Sequence, residues 1–132
     1  MGTNYYAVPA TEKPEIQQPL FPGQVIEFNY GRYEHYHIGK NSIGWTFAIA
    51  EDGLLAYIDN NDVELMLEKL ESGEYLIANE YNEYIPFERF FEVIVSASES
   101  EVTHCRFDVD KPQNLAYDGQ FLQIRFVSGE FY

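Results

Sequence analysis

Two sets of residues in this 132-residue chain have types and spacing that do chemistry, and both are binding chemistry. The stretch His37-Ile38-Gly39-Lys40-Asn41-Ser42-Ile43-Gly44-Trp45 sets two glycines, a lysine and a serine ahead of an apolar run. A loop of that composition presents backbone N–H groups and a cation to an anion. With Asn4 and Tyr5 from the N-terminal segment, His37, Lys40, Ser42 and Trp45 make a candidate site for a small anion or a nucleotide. It is not a Walker loop, because Glu34 stands where a glycine is needed five residues before Gly39, and Asn41 follows the lysine where Ser or Thr is needed. The plainer reading is a tight strand connection whose glycines supply special backbone angles and whose Lys40 is solvated.

The second set is acidic. The net charge is −14, and between Glu51 and Asp110 sixteen Asp and Glu face only Lys69, Arg89 and Arg106. Glu64, Glu68 and Glu71 recur at helical spacing, as do Glu88 and Glu92. Duplex DNA carries one negative charge per about 1.7 Å of axis, and carboxylates along a helix rising about 1.5 Å per residue imitate such a rod for a protein with a basic groove. These five glutamates are the candidate contacts to a basic partner protein. An acidic helical face also serves solubility alone, and that reading stays open. Direct binding to nucleic acid is disfavoured, because affinity for phosphate depends on Lys and Arg displacing counterions.

No catalytic centre, metal site or cofactor site is assigned. His35 and His37 share one face of a strand, and with a Glu, His104 or Cys105 they have the ligand types for zinc. Adjacent residues of a strand point to opposite faces, however, so His104 and Cys105 do not readily serve one site, as ligands or as a base and nucleophile. Among 22 Asp and Glu, nothing singles out a pair for acid–base work.

These residues need a scaffold. The length suits one domain spanning residues 1–132, and ten Phe, eleven Tyr and Trp45 supply a core. One cysteine excludes an intrachain disulfide, and the first thirty residues lack the basic start and apolar run of a secretory signal, so a cytoplasmic protein is expected. No apolar run approaches a membrane span, and Tyr6 replaces the Ser or Thr of a myristoylation signal.

Thr3 to Val8 reads as a strand, followed by a proline-rich surface loop over residues 9–23. Gln24 to Tyr30 alternates, Tyr33 to Ile38 continues the alternation past Gly31, and a hairpin is expected there. Trp45 to Ala50 and Leu54 to Ile58, with the turn Glu51-Asp52-Gly53 between them, read as buried strands. Asp59 to Glu71 has helical period, with Asp59 or Asn60 as the cap and Gly73 after the end. Tyr75 to Ala78 and Tyr84-Ile85 read as strands around a turn, and a second helix opens at Pro86 with Phe87, Phe90, Phe91 and Ile94 inward. Glu101 to Val109 alternates, and Asn114 to Tyr117 pairs with Gln120 to Val127 across Asp118-Gly119. The expectation is an α+β fold, an antiparallel or mixed sheet with two helices packed on it.

Met1-Gly2-Thr3-Asn4-Tyr5-Tyr6, His37-Ile38-Gly39-Lys40, Gly44-Trp45-Thr46-Phe47 and Phe126-Val127-Ser128-Gly129-Glu130-Phe131, in that order, resemble a family of small uncharacterised bacteriophage and prophage proteins. The segment from Ile77 to Ile85 around Glu80-Tyr81, and the helix after Pro86, look like that family too. The resemblance implies a phage gene expressed in the bacterial cytoplasm and carries no activity. Members bear a cysteine pair ahead of the His-Ile-Gly-Lys motif, suggestive of a zinc knuckle; here the proline-rich loop stands in its place. Three readings remain: an acidic accessory protein that binds, and inhibits, a basic host protein such as a nucleic-acid-handling or defence enzyme; an anion or nucleotide binder or enzyme centred on residues 37–45; or a structural protein that self-associates through its aromatics.

Overall fold

The computed structural model describes residues 2–17, 20–42, 46–99 and 113–127. Alternating side chains let the strands bury one face of the sheet under helices. Strands β1 (Gly2–Pro9), β2 (Tyr36–Ser42), β3 (Phe47–Ala50), β4 (Tyr75–Asn79), β5 (Tyr84–Ile85), β6 (Gln113–Tyr117) and β7 (Gln120–Val127) form one sheet in the order β5-β4-β1-β2-β3-β7-β6. All neighbours are antiparallel except β3 and β7, so the sheet is mixed and the fold is α+β as expected.

Helices α1 (Val63–Glu71) and α2 (Phe87–Glu99) share one core with the sheet. Met66, Leu67 and Leu70 of α1 and Phe90, Ile94 and Ala97 of α2 meet Tyr5, Phe47, Ile49, Ile77, Leu122 and Ile124, all buried in a single cluster. Both helices therefore lie on the same face. Behind the sheet, Val8, Phe28 and Ala78 form a second cluster, which Ile16, Tyr30 and Tyr33 cover.

Local chemistry sets the ends of α1. The Asp62 carboxylate accepts from the N–H groups of Glu64 (3.0 Å) and Leu65 (3.3 Å), satisfying two donors that the first turn leaves without a partner. The cap is thus Asp62 and not Asp59 or Asn60, because Asp59–Asn61 form a separate 3-10 turn in which Asn60 and Asn61 have left-handed φ of 60° and 51°. At the other end Gly73, at φ 85°, lets Glu74 N–H reach Lys69 C=O (3.1 Å) while its own N–H reaches Leu70 C=O (3.3 Å), the Schellman arrangement. The β6–β7 hairpin turns on Asp118 and Gly119, both with positive φ, as the Asp-Gly pair predicts.

Several expectations are corrected. Residues 24–38 do not make a hairpin. Their alternation is real, with Phe28 buried and Val25 exposed, but Ile26 and Phe28 bond across to the turn before β5: Phe28 N–H donates to Asn82 C=O (2.7 Å) and Tyr84 N–H to Ile26 C=O (2.8 Å). A 3-10 turn at Tyr30–Arg32 then leads to β2, which runs through His37 to Ser42 where a loop was expected. Leu54 to Ile58 is not a strand either. Both edges of β3 are already taken by β2 and β7, so the chain leaves the sheet and buries Leu54 and Leu55 in a 3-10 turn, Leu54–Tyr57. The expected strand from Glu101 to Val109 lies outside the described residues. No helix among the described residues is long and apolar enough to cross a membrane.

Candidate functional site

Glu64, Glu68 and Glu71 on α1 and Glu88 and Glu92 on α2 are all exposed. Tyr117 of β6 touches both helices: its hydroxyl donates to Glu71 Oε1 at 2.6 Å and its ring sits edge-on to Phe91, centroids 5.7 Å apart. Burial, the bond to Glu71, and then the charges of Glu71, Glu68 and Asp118 push the Tyr117 phenol well above its ordinary range. Among the described residues no hydrogen bond or ion pair engages the side chains of Glu64, Glu68, Glu88 or Glu92; Lys69 pairs instead with Glu74, at 3.1 Å.

The anion candidates divide between the two faces of the sheet. Register pairs Asn4 with Lys40, and Gly2 with Ser42, so Asn4, Lys40 and Ser42 share the face away from the helices. His37 joins them through Nε2, 2.9 Å from Asn4 Oδ1. Gly39 must be glycine: a Cβ would lie 2.2 Å from the Ala48 carbonyl oxygen and 2.6 Å from the Phe47 ring. Gly2 opens a hollow of similar origin, where a Cβ would sit 2.7 Å from Ser42 Oγ and 3.0 Å from Lys40 Cε. Lys40 is only 7% exposed, and no hydrogen bond or ion pair among the described residues engages its ammonium. Tyr5 does not belong to this group. It faces the helices, in contact with Phe47 and Phe90 at centroid distances of 6.1 and 5.3 Å. Trp45, His104 and Cys105 lie outside the described residues.

A third residue, missed in the sequence, completes the His37 network. Glu80 Oε1 accepts from Asn4 N–H (2.8 Å) and from Asn4 Nδ2 (3.4 Å). Because Nδ2 donates to Glu80, Asn4 Oδ1 faces the imidazole as an acceptor, and His37 Nε2 carries the hydrogen. Burial lowers the His37 pKa, a backbone hydrogen bond at Gly39 and the Asp52 charge oppose this, and the Lys40 charge reinforces it. On the same face the Tyr6 ring stacks on Tyr30 (4.3 Å) and His37 (5.1 Å), with His35 edge-on at 5.8 Å. Among the described residues no three His, Cys, Asp or Glu gather as a metal site. Glu80 stands 76 residues from Asn4, and only the pairing of β1 with β4 brings them together, so no sequence signal marks it.

On the helix side a cleft of about 600 Å³ opens between α2, the ends of β1 and β2, and the turn after β4, lined by Thr3, Tyr5, Asn79, Glu83, Arg89 and Glu92 among others. It adjoins the acidic surface through Glu92. Comparison with protein-family models, with curated proteins and with solved structures finds no match to this chain.

Proposed function

We propose that this is a phage-encoded accessory protein that binds, and thereby inhibits, a basic protein of the bacterial host, a nucleic-acid-handling or defence enzyme, with its acidic helices standing in for a nucleic-acid backbone. The phage setting rests on the resemblance of the opening, His-Ile-Gly-Lys and closing motifs. The observation that carries the binding surface is the exposure of Glu64, Glu68, Glu71, Glu88 and Glu92 on two helices that lie side by side on one face of the sheet. Exposed carboxylates that no salt bridge among the described residues engages present a negative field, which steers a basic partner into contact and weakens with salt. The test reverses all five to Lys and measures capture of host proteins from infected-cell lysate, with circular dichroism as a check on folding. Loss of a salt-sensitive partner supports the reading, and undiminished capture by a folded variant sinks it.

A second reading, a binder of small anions or nucleotides, is favoured by Lys40, whose mostly buried side chain meets no acid in a strongly acidic protein and stands beside Ser42 and Asn4. Sodium phosphate should then raise the melting temperature by several degrees above sodium chloride of equal ionic strength, with the difference lost in Lys40→Ala. Equal melting temperatures in the two salts would rule the anion site out.

A further inference from the structure

The cleft beside Glu92 continues into a second one of about 660 Å³. The two share Glu83, Ile85 and Arg89 as lining, so together they make one groove with unlike halves. The far half is apolar: Leu20, Phe21 and Val25, which rim it, are 85%, 61% and 66% exposed. Large apolar side chains grouped at the mouth of a groove mark an interaction surface. The near half is polar and holds the carboxylates of Glu83 and Glu92 against the single cation Arg89, so its charged lining is net negative.

Two buried residues set the chemistry of the polar half. Glu83 is fixed from behind by Asn79, a 6% exposed side chain that donates Nδ2–H to Glu83 Oε1 (2.8 Å) and accepts the N–H groups of Tyr81 (2.9 Å) and Glu83 (3.1 Å) through Oδ1. Tyr5, 7% exposed, lines the groove with a hydroxyl that no hydrogen bond engages among the described residues. The hydroxyl faces the groove and is available as a donor to an incoming acceptor. Burial, with the Glu83 charge, raises the Tyr5 phenol against the opposing effect of Arg89, so it remains a donor at neutral pH.

We infer that this groove seats a short extended segment of the basic partner: a Lys or Arg side chain enters the polar half toward Glu83 and Glu92, and a neighbouring apolar side chain packs on Leu20, Phe21 and Val25. The inference rests on the proposed partner class and deepens it by naming the anchor. Tyr5 O–H and the Arg89 guanidinium donate to carbonyl oxygens of the segment, and the basic head finds the two carboxylates. A buried charged anchor beside an apolar contact is the usual composition of an interface hot spot. A fully polar segment leaves the apolar half unfilled, and an acidic one is repelled by the carboxylates of the other half.

The test uses the full chain and a synthetic probe, acetyl-Ala-Arg-Ala-Leu-Ala-amide, followed by two-dimensional ¹H–¹⁵N spectra. The peptide should shift the backbone signals of Tyr5, Glu83 and Ser96 together with Val25. Glu83→Gln, which keeps an acceptor for Asn79, should weaken binding about fivefold, and Phe21→Ser, an exposed change, should weaken it to a similar degree. Replacing Arg by Glu in the peptide should abolish the shifts. Absence of shifts at millimolar peptide, equal shifts with the Glu peptide, or affinity unchanged in Glu83→Gln each overturns the inference. Because the probe is not the host partner, failure here with partner capture still abolished by the five-residue reversal discards the groove alone. Peptide binding with unaffected capture discards the helical surface alone.

Discussion

At the scale of single residues, His37 shows how a position readable as a site residue acquires its behaviour from distant groups. Its neighbours Asn4 and Lys40 were candidates on type alone, whereas Glu80, which fixes the Asn4 amide and through it the imidazole tautomer, comes from the end of β4. The pH dependence follows from the lowered pKa. Between the folded value and the ordinary 6.5, the unfolded chain binds more protons than the folded one. The His37 contribution to stability is therefore complete above 6.5, declines as pH falls through that window, and levels off once the folded imidazole is protonated. Urea unfolding at pH 7.5 and pH 5.0 should show a larger acid loss for the wild type than for His37→Gln, which has no imidazole to protonate. Equal losses would mean that the imidazole is not held neutral by the fold. Tyr5 illustrates the converse. It was grouped with the anion residues by its place next to Asn4, but adjacent strand residues face opposite ways, and the Tyr5 ring went to the helix core while its hydroxyl went to the groove.

Among the elements, those whose ends carry their own chemistry were readable, and those whose partners are remote were not. α1, α2 and the β6–β7 hairpin have period, caps and turn residues within a dozen positions of each other, and all three form. Asp62 supplies the start of α1 by itself. Asp62→Ala should lower the unfolding free energy by about 1 kcal/mol, with Asp62→Asn restoring most of it, measured as a shift in the urea midpoint; an unshifted midpoint for the alanine variant would show that the cap contributes nothing. Gln24 to Tyr30 had strand alternation without a strand, because Phe28 and Tyr30 pack against the back of the sheet and its backbone bonds go to residues 82–84. Leu54 to Ile58 was as apolar as a buried strand, but a short apolar run is equally at home in a turn beneath a helix.

For the molecule as a whole, the sheet separates the two candidate surfaces. The helices sit on one face and carry their glutamates outward, with the groove along the side of α2. The anion candidates Asn4, His37, Lys40 and Ser42 share the other. The acidic excess, the mixed helix and strand content, the two helical glutamate stripes and the Asp-Gly hairpin were determined by the sequence alone, because each depends on composition or on spacings shorter than one element. Strand order, the parallel pairing of β3 with β7, the Glu80–Asn4–His37 chain, the burial of Lys40 and the meeting of residues 20–26 with Glu83 and Arg89 were decided only by tertiary structure. Each of those joins segments dozens of residues apart, and backbone pairing and core burial choose among many such partners at once, so no local pattern announces the outcome.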